Sequence, residues 1–113
     1  MRQWQLLEID APAGTRDPVV LHSSEARAVL ISLDAGQKLR DHQVHERAWI
    51  CVVDGIVRVE ADGDGVDAGA GTLLMFEPGE RHALSSEEGA RVLLFLTPWP
   101  GDGHYRSEEE RAL

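Results

Sequence analysis

Short apolar runs rich in Val, Ile and Leu recur along the chain, and Gly, Asp and Pro separate them. Such punctuation is typical of β-strands joined by tight turns. The run Val57-Arg58-Val59-Glu60 alternates apolar and polar positions with the period of two expected for a half-buried strand. Strands are predicted at Gln3–Ile9, Arg27–Leu33, Trp49–Val53, Ile56–Ala61, Thr72–Phe76, His82–Ser85 and Arg91–Thr97. This succession of short strands indicates an all-β sandwich or barrel.

Three turns are predicted from their Gly, Asp and Pro content. Asp54-Gly55 has the composition of a two-residue type I′ hairpin turn, because its Gly tolerates the positive φ that this turn requires. Asp62-Gly63-Asp64-Gly65 is predicted to be a mobile turn, and Glu77-Pro78-Gly79-Glu80 a tight one. The first turn would join the two strands beside it into a hairpin.

The segment 37–53 allows two interpretations. Gly36 before it and Asp54-Gly55 after it could serve as the ends of a helix. The aromatic and β-branched residues from Trp49 to Val53 favour a strand instead. We therefore expect a loop that leads into the strand at Trp49.

The C-terminal part of the chain differs from the rest. Thr97-Pro98-Trp99-Pro100-Gly101 cannot extend a sheet, because proline lacks a backbone donor. Ser107-Glu108-Glu109-Glu110 resembles a capping box, which predicts a short helix through Leu113. So short a helix would need to dock on the barrel or on a neighbouring subunit.

Composition narrows the function classes. The 113 residues, 42% of them hydrophobic and 27% charged, fit one globular domain spanning 1–113. The formal charge of −9 argues against nucleic-acid and membrane-surface partners. Neither a membrane span nor a secretory signal is expected from the apolar pattern. The single cysteine, Cys51, cannot form an internal disulfide, which suits a cytoplasmic location.

Two of the five histidines fall at informative positions. His42 follows Gly36 by six residues, and His82 follows the Pro78-Gly79 turn at the start of a predicted strand. In a closed barrel, residues beside turns at one end can converge despite a large sequence separation. His42 and His82 are therefore the main candidates for a functional pocket.

The spacing of these residues resembles the first motif of the cupin superfamily. That motif consists of Gly, five residues, His-x-His, three or four residues, Glu, six residues and Gly. Gly36, His42 and Gly55 match it at the right separations. The second His position holds Val44 and the Glu position holds Ala48, so two of the usual metal ligands are replaced.

The second cupin motif is also matched in part. It consists of Gly, five residues, Pro-x-Gly, two residues and His, and Gly71, Gly79 and His82 stand at those positions. Glu77 occupies the proline position, and Pro78 follows it. The resemblance implies a jelly-roll-like cupin barrel and a homodimer, because small cupins commonly pair through terminal strands.

The resemblance also implies a metal site, for which a modified ligand set is available. His45 and Glu46 lie one or two residues from the replaced positions, and a bulge could re-aim their side chains. His42, His45 and His82, with Glu46, would then hold a divalent transition metal such as Fe, Ni, Zn or Mn. In an undistorted strand, however, His42 and His45 would face opposite sides.

Three functions remain open from the sequence. The first is a metal-dependent enzyme acting on a small organic molecule, such as an oxygenase or isomerase. The second is a metal-free binding or sensor module, which the replacement of the motif Glu by Ala48 favours. The third is a structural or partner-binding role based on Trp4, Trp99 and the docked C-terminal tail. The expected lumen lining is apolar and suits a small organic ligand: Val44, Ala48, Ile50, Val52, Met75 and Leu84.

Overall fold

The computed structural model describes residues 1–13, 18–42 and 44–101, with side chains throughout these ranges except at residues 40–42. The described residues form strands and no helix, which confirms the all-β prediction. The strands are β1 (Val19–Ser23), β2 (Arg27–Leu33), β3 (Lys38–His42), β4 (Arg47–Ala61), β5 (Asp64–Gly69), β6 (Leu73–Phe76), β7 (His82–Ser85) and β8 (Ala90–Thr97). Strands β2 and β7 have the bounds predicted from the sequence.

The strands form two antiparallel sheets that share the long strand β4. The first sheet has the order β1-β2-β8-β4-β6 and uses the first half of β4. The second has the order β3-β7-β4-β5 and uses the second half of that strand. Because β4 passes from one sheet to the other, the two sheets curl around a common interior.

The predicted hairpin turn at Asp54-Gly55 is wrong, because β4 continues through it. The pairing of β4 with β8 shifts register between Val52 and Asp54, which marks a β-bulge. Gly55 has a φ of 79°, and a Cβ there would overlap the carbonyl oxygen of Gly89. The glycine is thus needed for a bend and a close backbone approach within a strand.

The two-residue hairpin turn lies at Asp62-Gly63 instead. Asp62 has a φ of 51° and Gly63 a φ of 82°, both in the left-handed region that a type I′ turn requires. Ala61 pairs with Asp64 directly across this turn. The four-residue mobile turn predicted from Asp62 is therefore wrong in its second half, which begins β5.

The interior between the sheets is filled by apolar side chains from alternate strand positions. Ala48, Ile50, Val52 and Leu84 belong to this core, as the sequence predicts, and Val44 packs against it. Met75 does not, since its side chain is 42% exposed. The inward position on β6 belongs to Phe76, whose side chain is 5% exposed.

The strand predicted at Gln3–Ile9 is absent, and this segment lies on the protein without joining a sheet. The Arg91 guanidinium donates hydrogen bonds to the carbonyl oxygens of Leu6 and Ile9, each at 2.8 Å. Two carbonyl groups of the segment therefore bond to a side chain of the first sheet instead of to a neighbouring strand.

Strand β3 occupies part of the predicted loop after Gly36. It lies at an edge of the second sheet and pairs only with β7 among the described strands. The helix predicted from Ser107 to Leu113 lies outside the described residues. No helix in the described part of the chain is long and apolar enough to cross a membrane.

Candidate functional site

His82 is a buried polar residue at the start of β7, with 2% of its surface exposed. Its ring stacks on Phe76, with the ring centroids 4.1 Å apart and the planes inclined by 10°. The register of β3 and β7 pairs His82 with His42 directly across the two strands. The two histidines selected from the sequence are thus neighbours in the sheet.

The imidazole of His82 is oriented by a backbone contact. Its Nδ1 lies 3.2 Å from the carbonyl oxygen of Glu80. A carbonyl oxygen can only accept, so Nδ1 carries the proton of this hydrogen bond. In the neutral ring, Nε2 is then the atom that carries the lone pair, the arrangement common among metal-binding and hydrogen-bonding histidines.

The loop between β3 and β4 lies at the same end of the barrel as the turn before His82. The Gly79 amide donates a hydrogen bond of 2.9 Å to the carbonyl oxygen of Val44. Two residues later, Glu46 is fully buried, with 0% of its surface exposed. Glu46 directly precedes the first residue of β4 and, like Ala48 two positions later, is buried.

The carboxylate of Glu46 is held by the segment that follows β8. The Gly101 amide donates a hydrogen bond of 2.8 Å to Oε2 of Glu46. A Cβ at position 101 would lie 3.1 Å from Cγ of Glu46 and 3.1 Å from the carbonyl oxygen of His45. The close approach of Gly101 therefore covers the carboxylate, which is charged when ionised and needs such a partner where it is buried.

The remaining histidines lie elsewhere or outside the described residues. His45 is exposed on the loop before β4. His22 bonds to Glu25, with 3.2 Å between Nε2 and Oε1. His104 lies outside the described part of the chain. Among the side chains that are described, which exclude that of His42, no group of three or more His, Cys, Asp or Glu residues clusters as in a metal site.

Two residues of this region were not predicted from the sequence. Phe76 was missed because the alternation along the short strand β6 was assigned with Met75 pointing inward. Its separation of six residues from His82, across a tight turn, is a signal that could have found it. Gly101 was missed because its contact with Glu46 spans 55 residues, which no local pattern indicates.

This end of the barrel combines buried polar side chains with the apolar side chains of the core. His82 and Glu46 are among the few buried polar or charged residues of the described chain. Trp99 and Val44 are partly buried and pack against the core. An imidazole and a carboxylate beside apolar walls can coordinate a cation or hydrogen-bond a small organic molecule.

Comparisons with known proteins bear on the fold. The sequence model of the Cupin_2 family, described as a cupin domain, matches residues 29–97, which is more than half of the chain. No curated protein is significantly similar to the chain.

Solved structures share the fold at low sequence identity. A protein from Klebsiella pneumoniae, described as having a double-stranded β-helix domain, is 18% identical, with a TM-score of 0.77 over 89% of this chain and 93% of that one. A cupin superfamily protein from Desulfitobacterium hafniense is 16% identical, with a TM-score of 0.74 over 82% and 86%. An RmlC-like cupin from Shewanella frigidimarina is 24% identical, with a TM-score of 0.63 over 75% and 71%. These similarities show the architecture alone.

Proposed function

Because the chain belongs to the cupin domain family, we propose that its barrel binds a divalent transition metal and a small organic molecule at the end marked by His82. His42, His82 and Glu46 hold the metal in this proposal. The reaction would be of the oxygenase or isomerase type. The observation that carries the proposal is the pairing of His42 with His82 across β3 and β7.

The pairing supports a shared ligand because directly opposed residues in antiparallel strands lie on one face of the sheet. His82 is further prepared by its contact with Glu80, which leaves Nε2 with the lone pair. Phe76 restricts the rotation of the His82 ring by stacking against it. Both contacts lower the conformational freedom that metal binding would otherwise have to remove.

Glu46 supplies the carboxylate that the replacement of the motif Glu by Ala48 removes. It is buried and lies two positions before Ala48, just before the start of β4. Gly101 donates to one of its two oxygen atoms, and each carboxylate oxygen offers two lone pairs. Two imidazoles and one carboxylate form a donor set that suits Fe, Ni, Zn or Mn, so the residues present fit the group.

The metal, when bound, would supply Lewis-acid or redox chemistry toward an oxygen atom of the organic molecule. The residues of this chain perform the rest. Glu80 and Phe76 orient His82, and Gly101 orients Glu46. Val44 and Trp99, which pack against the core, would favour an uncharged organic body and limit the access of water if they border the bound molecule.

Metal content after reconstitution tests this proposal. The untagged protein is loaded separately with Fe, Ni, Zn and Mn, desalted and analysed for bound metal, alongside His82→Ala, Glu46→Gln and His45→Ala. We expect one equivalent of bound metal per chain in the parent and no bound metal in His82→Ala. Glu46→Gln should retain the metal at least tenfold more weakly than the parent. His45→Ala is the matched control, because His45 is exposed. Loss in His45→Ala with retention in Glu46→Gln would assign the third ligand to His45 and overturn the role of Glu46. No metal in the parent would overturn the metal site.

A metal-free binding module is the second candidate function. Ala48 stands at the position of a usual ligand, and Oε2 of Glu46 already accepts a hydrogen bond from Gly101. In this case His82 would hydrogen-bond the organic molecule directly through Nε2. A parent that retains no metal but changes its His82 ring resonances with small-molecule ligands would support this function.

A further inference from the structure

A groove of about 460 Å³ lies on the outer face of the first sheet, opposite the face that packs on the core. It is bounded by the N-terminal segment on one side and by β1, β2 and β8 on the other. Its volume falls within the range of small-molecule pockets. The apolar side chains that line it are those of Trp4, Leu6, Leu21, Ala28, Leu93 and Phe95.

The groove is maintained by polar contacts that fix the N-terminal segment. Arg91, which belongs to β8, donates to the carbonyl oxygens of Leu6 and Ile9 at 2.8 Å each. Trp4 and Phe95 nevertheless stay 40% and 38% exposed. The segment therefore forms one wall of the groove and leaves large aromatic surfaces open to an occupant.

The polar side chains at the rim that can carry a charge are Arg2, His22 and Glu25. The pKa of Glu25 lies below its ordinary value. The largest cause is a hydrogen bond to the backbone, and hydrogen bonds from the side chains of His22 and Ser24 add to it. The carboxylate of Glu25 thus already pairs with His22, at 3.2 Å. Arg2 lies 5.4 Å from the ring centroid of Trp4, and no ion pair among the described residues includes it.

We propose that this groove binds a small amphipathic monoanion, an organic carboxylate with an apolar chain, whose carboxylate pairs with Arg2. The apolar lining accepts the chain, and the guanidinium offers the forked donors that a carboxylate fits. The net charge of −9 opposes an anion at long range. That repulsion is screened beyond about 8 Å in physiological salt, whereas the contact with Arg2 is local.

The full-length protein tests the groove by calorimetric titration with decanoate and with decan-1-ol, its uncharged analogue. The variants are Arg2→Gln, a groove-filling Ala26→Phe, and Arg58→Gln as a charge-matched control on the second sheet. We expect decanoate to bind the parent. The Arg2→Gln substitution should weaken the affinity for decanoate about tenfold, and Arg58→Gln should leave this affinity unchanged. Decan-1-ol should bind the parent and the Arg2→Gln variant with equal affinity. The Ala26→Phe substitution should weaken the binding of both ligands.

Three results would overturn the proposal. The first is the absence of decanoate binding to the parent, and the second is equal decanoate affinity in the parent and Arg2→Gln. The third is sedimentation showing a dimer that Ala26→Phe converts to a monomer, because a second copy of the chain would then occupy the groove. If Ala26→Phe does not fold by circular dichroism, Arg2→Gln still decides, since it changes an exposed side chain.

Discussion

Replacing Gly55 by alanine is expected to destabilise the protein far more than the same change at Gly36. Both glycines have a left-handed backbone, with φ values of 79° and 80°. A Cβ at Gly36 would meet no atom within 4 Å. One at Gly55 would overlap the Gly89 carbonyl oxygen and lie 2.9 Å from Cα of Ala90. The pair therefore separates the backbone strain from the steric overlap.

The magnitudes follow from these two terms. A left-handed alanine costs about 1–2 kcal/mol, and this is the whole effect expected for Gly36→Ala. At Gly55 the added methyl must displace backbone atoms, and overpacking adds about 1–3 kcal/mol. The Gly55→Ala variant should thus lose about 2–5 kcal/mol of a total stability that is only about 5–15 kcal/mol for ordinary domains.

Urea unfolding of the two variants and the parent measures the difference. The midpoints should fall in the order parent, Gly36→Ala, Gly55→Ala, with unchanged slopes if the unfolded state is unaffected. Equal losses in the two variants, within about 0.5 kcal/mol, would refute the reasoning. Equal losses would mean that β4 does not closely approach the Gly89 carbonyl at its bulge, where the strand passes from one sheet to the other.

Three further changes test other contacts. Ser86→Ala should lose about 1–3 kcal/mol of unfolding free energy, because the buried Ser86 hydroxyl bonds to two backbone groups. Denaturant titration measures this loss, and a value below about 0.5 kcal/mol would contradict the prediction. Arg91→Gln should speed amide exchange and proteolysis in the N-terminal segment without unfolding the sheets, and unchanged protection would argue against the tether. Phe76→Leu should weaken metal retention severalfold, because the loss of about 0.5–1.5 kcal/mol of stacking frees the His82 ring to rotate. Metal retention equal to that of the parent would show that Phe76 does not contribute to the site.

The strands that the sequence predicted well are those with strong apolar character. Strands β2 and β7 were predicted with their bounds, and β8 within one residue, because their apolar patterns were bounded by clear turn residues. Strands β1, β3 and β5 were missed; all three lie at sheet edges, and β3 and β5 are rich in charged residues or Gly. Edge strands need no apolar row on both faces, so their pattern is weak.

Two Asp-Gly pairs show where turn chemistry reaches its limit. The pairs at 54–55 and 62–63 have the same composition, yet only the second turns the chain. The first is a bulge because β8 lies against it and continues the ladder on both sides. The choice depends on a strand about 35 residues away in sequence, which a local pattern cannot supply.

The candidate site divides in the same way. His42 and His82 were selected by spacing, and the register of β3 with β7 pairs them. The burial of Glu46 was not predictable, because its partner Gly101 follows the last strand of the barrel. Local spacing could propose Glu46 as one neighbour of a replaced ligand, but only the folded chain distinguishes its buried carboxylate from the exposed ring of His45.

The most direct test of the central claim is to count the imidazoles bound to one metal ion. Cu²⁺ added to the protein serves as a paramagnetic probe of the site, and pulsed electron paramagnetic resonance detects the remote nitrogens of bound imidazoles. The account predicts two imidazoles in the parent and in His45→Ala, and one in His82→Ala. The same imidazole count in the parent and in His82→Ala would contradict it.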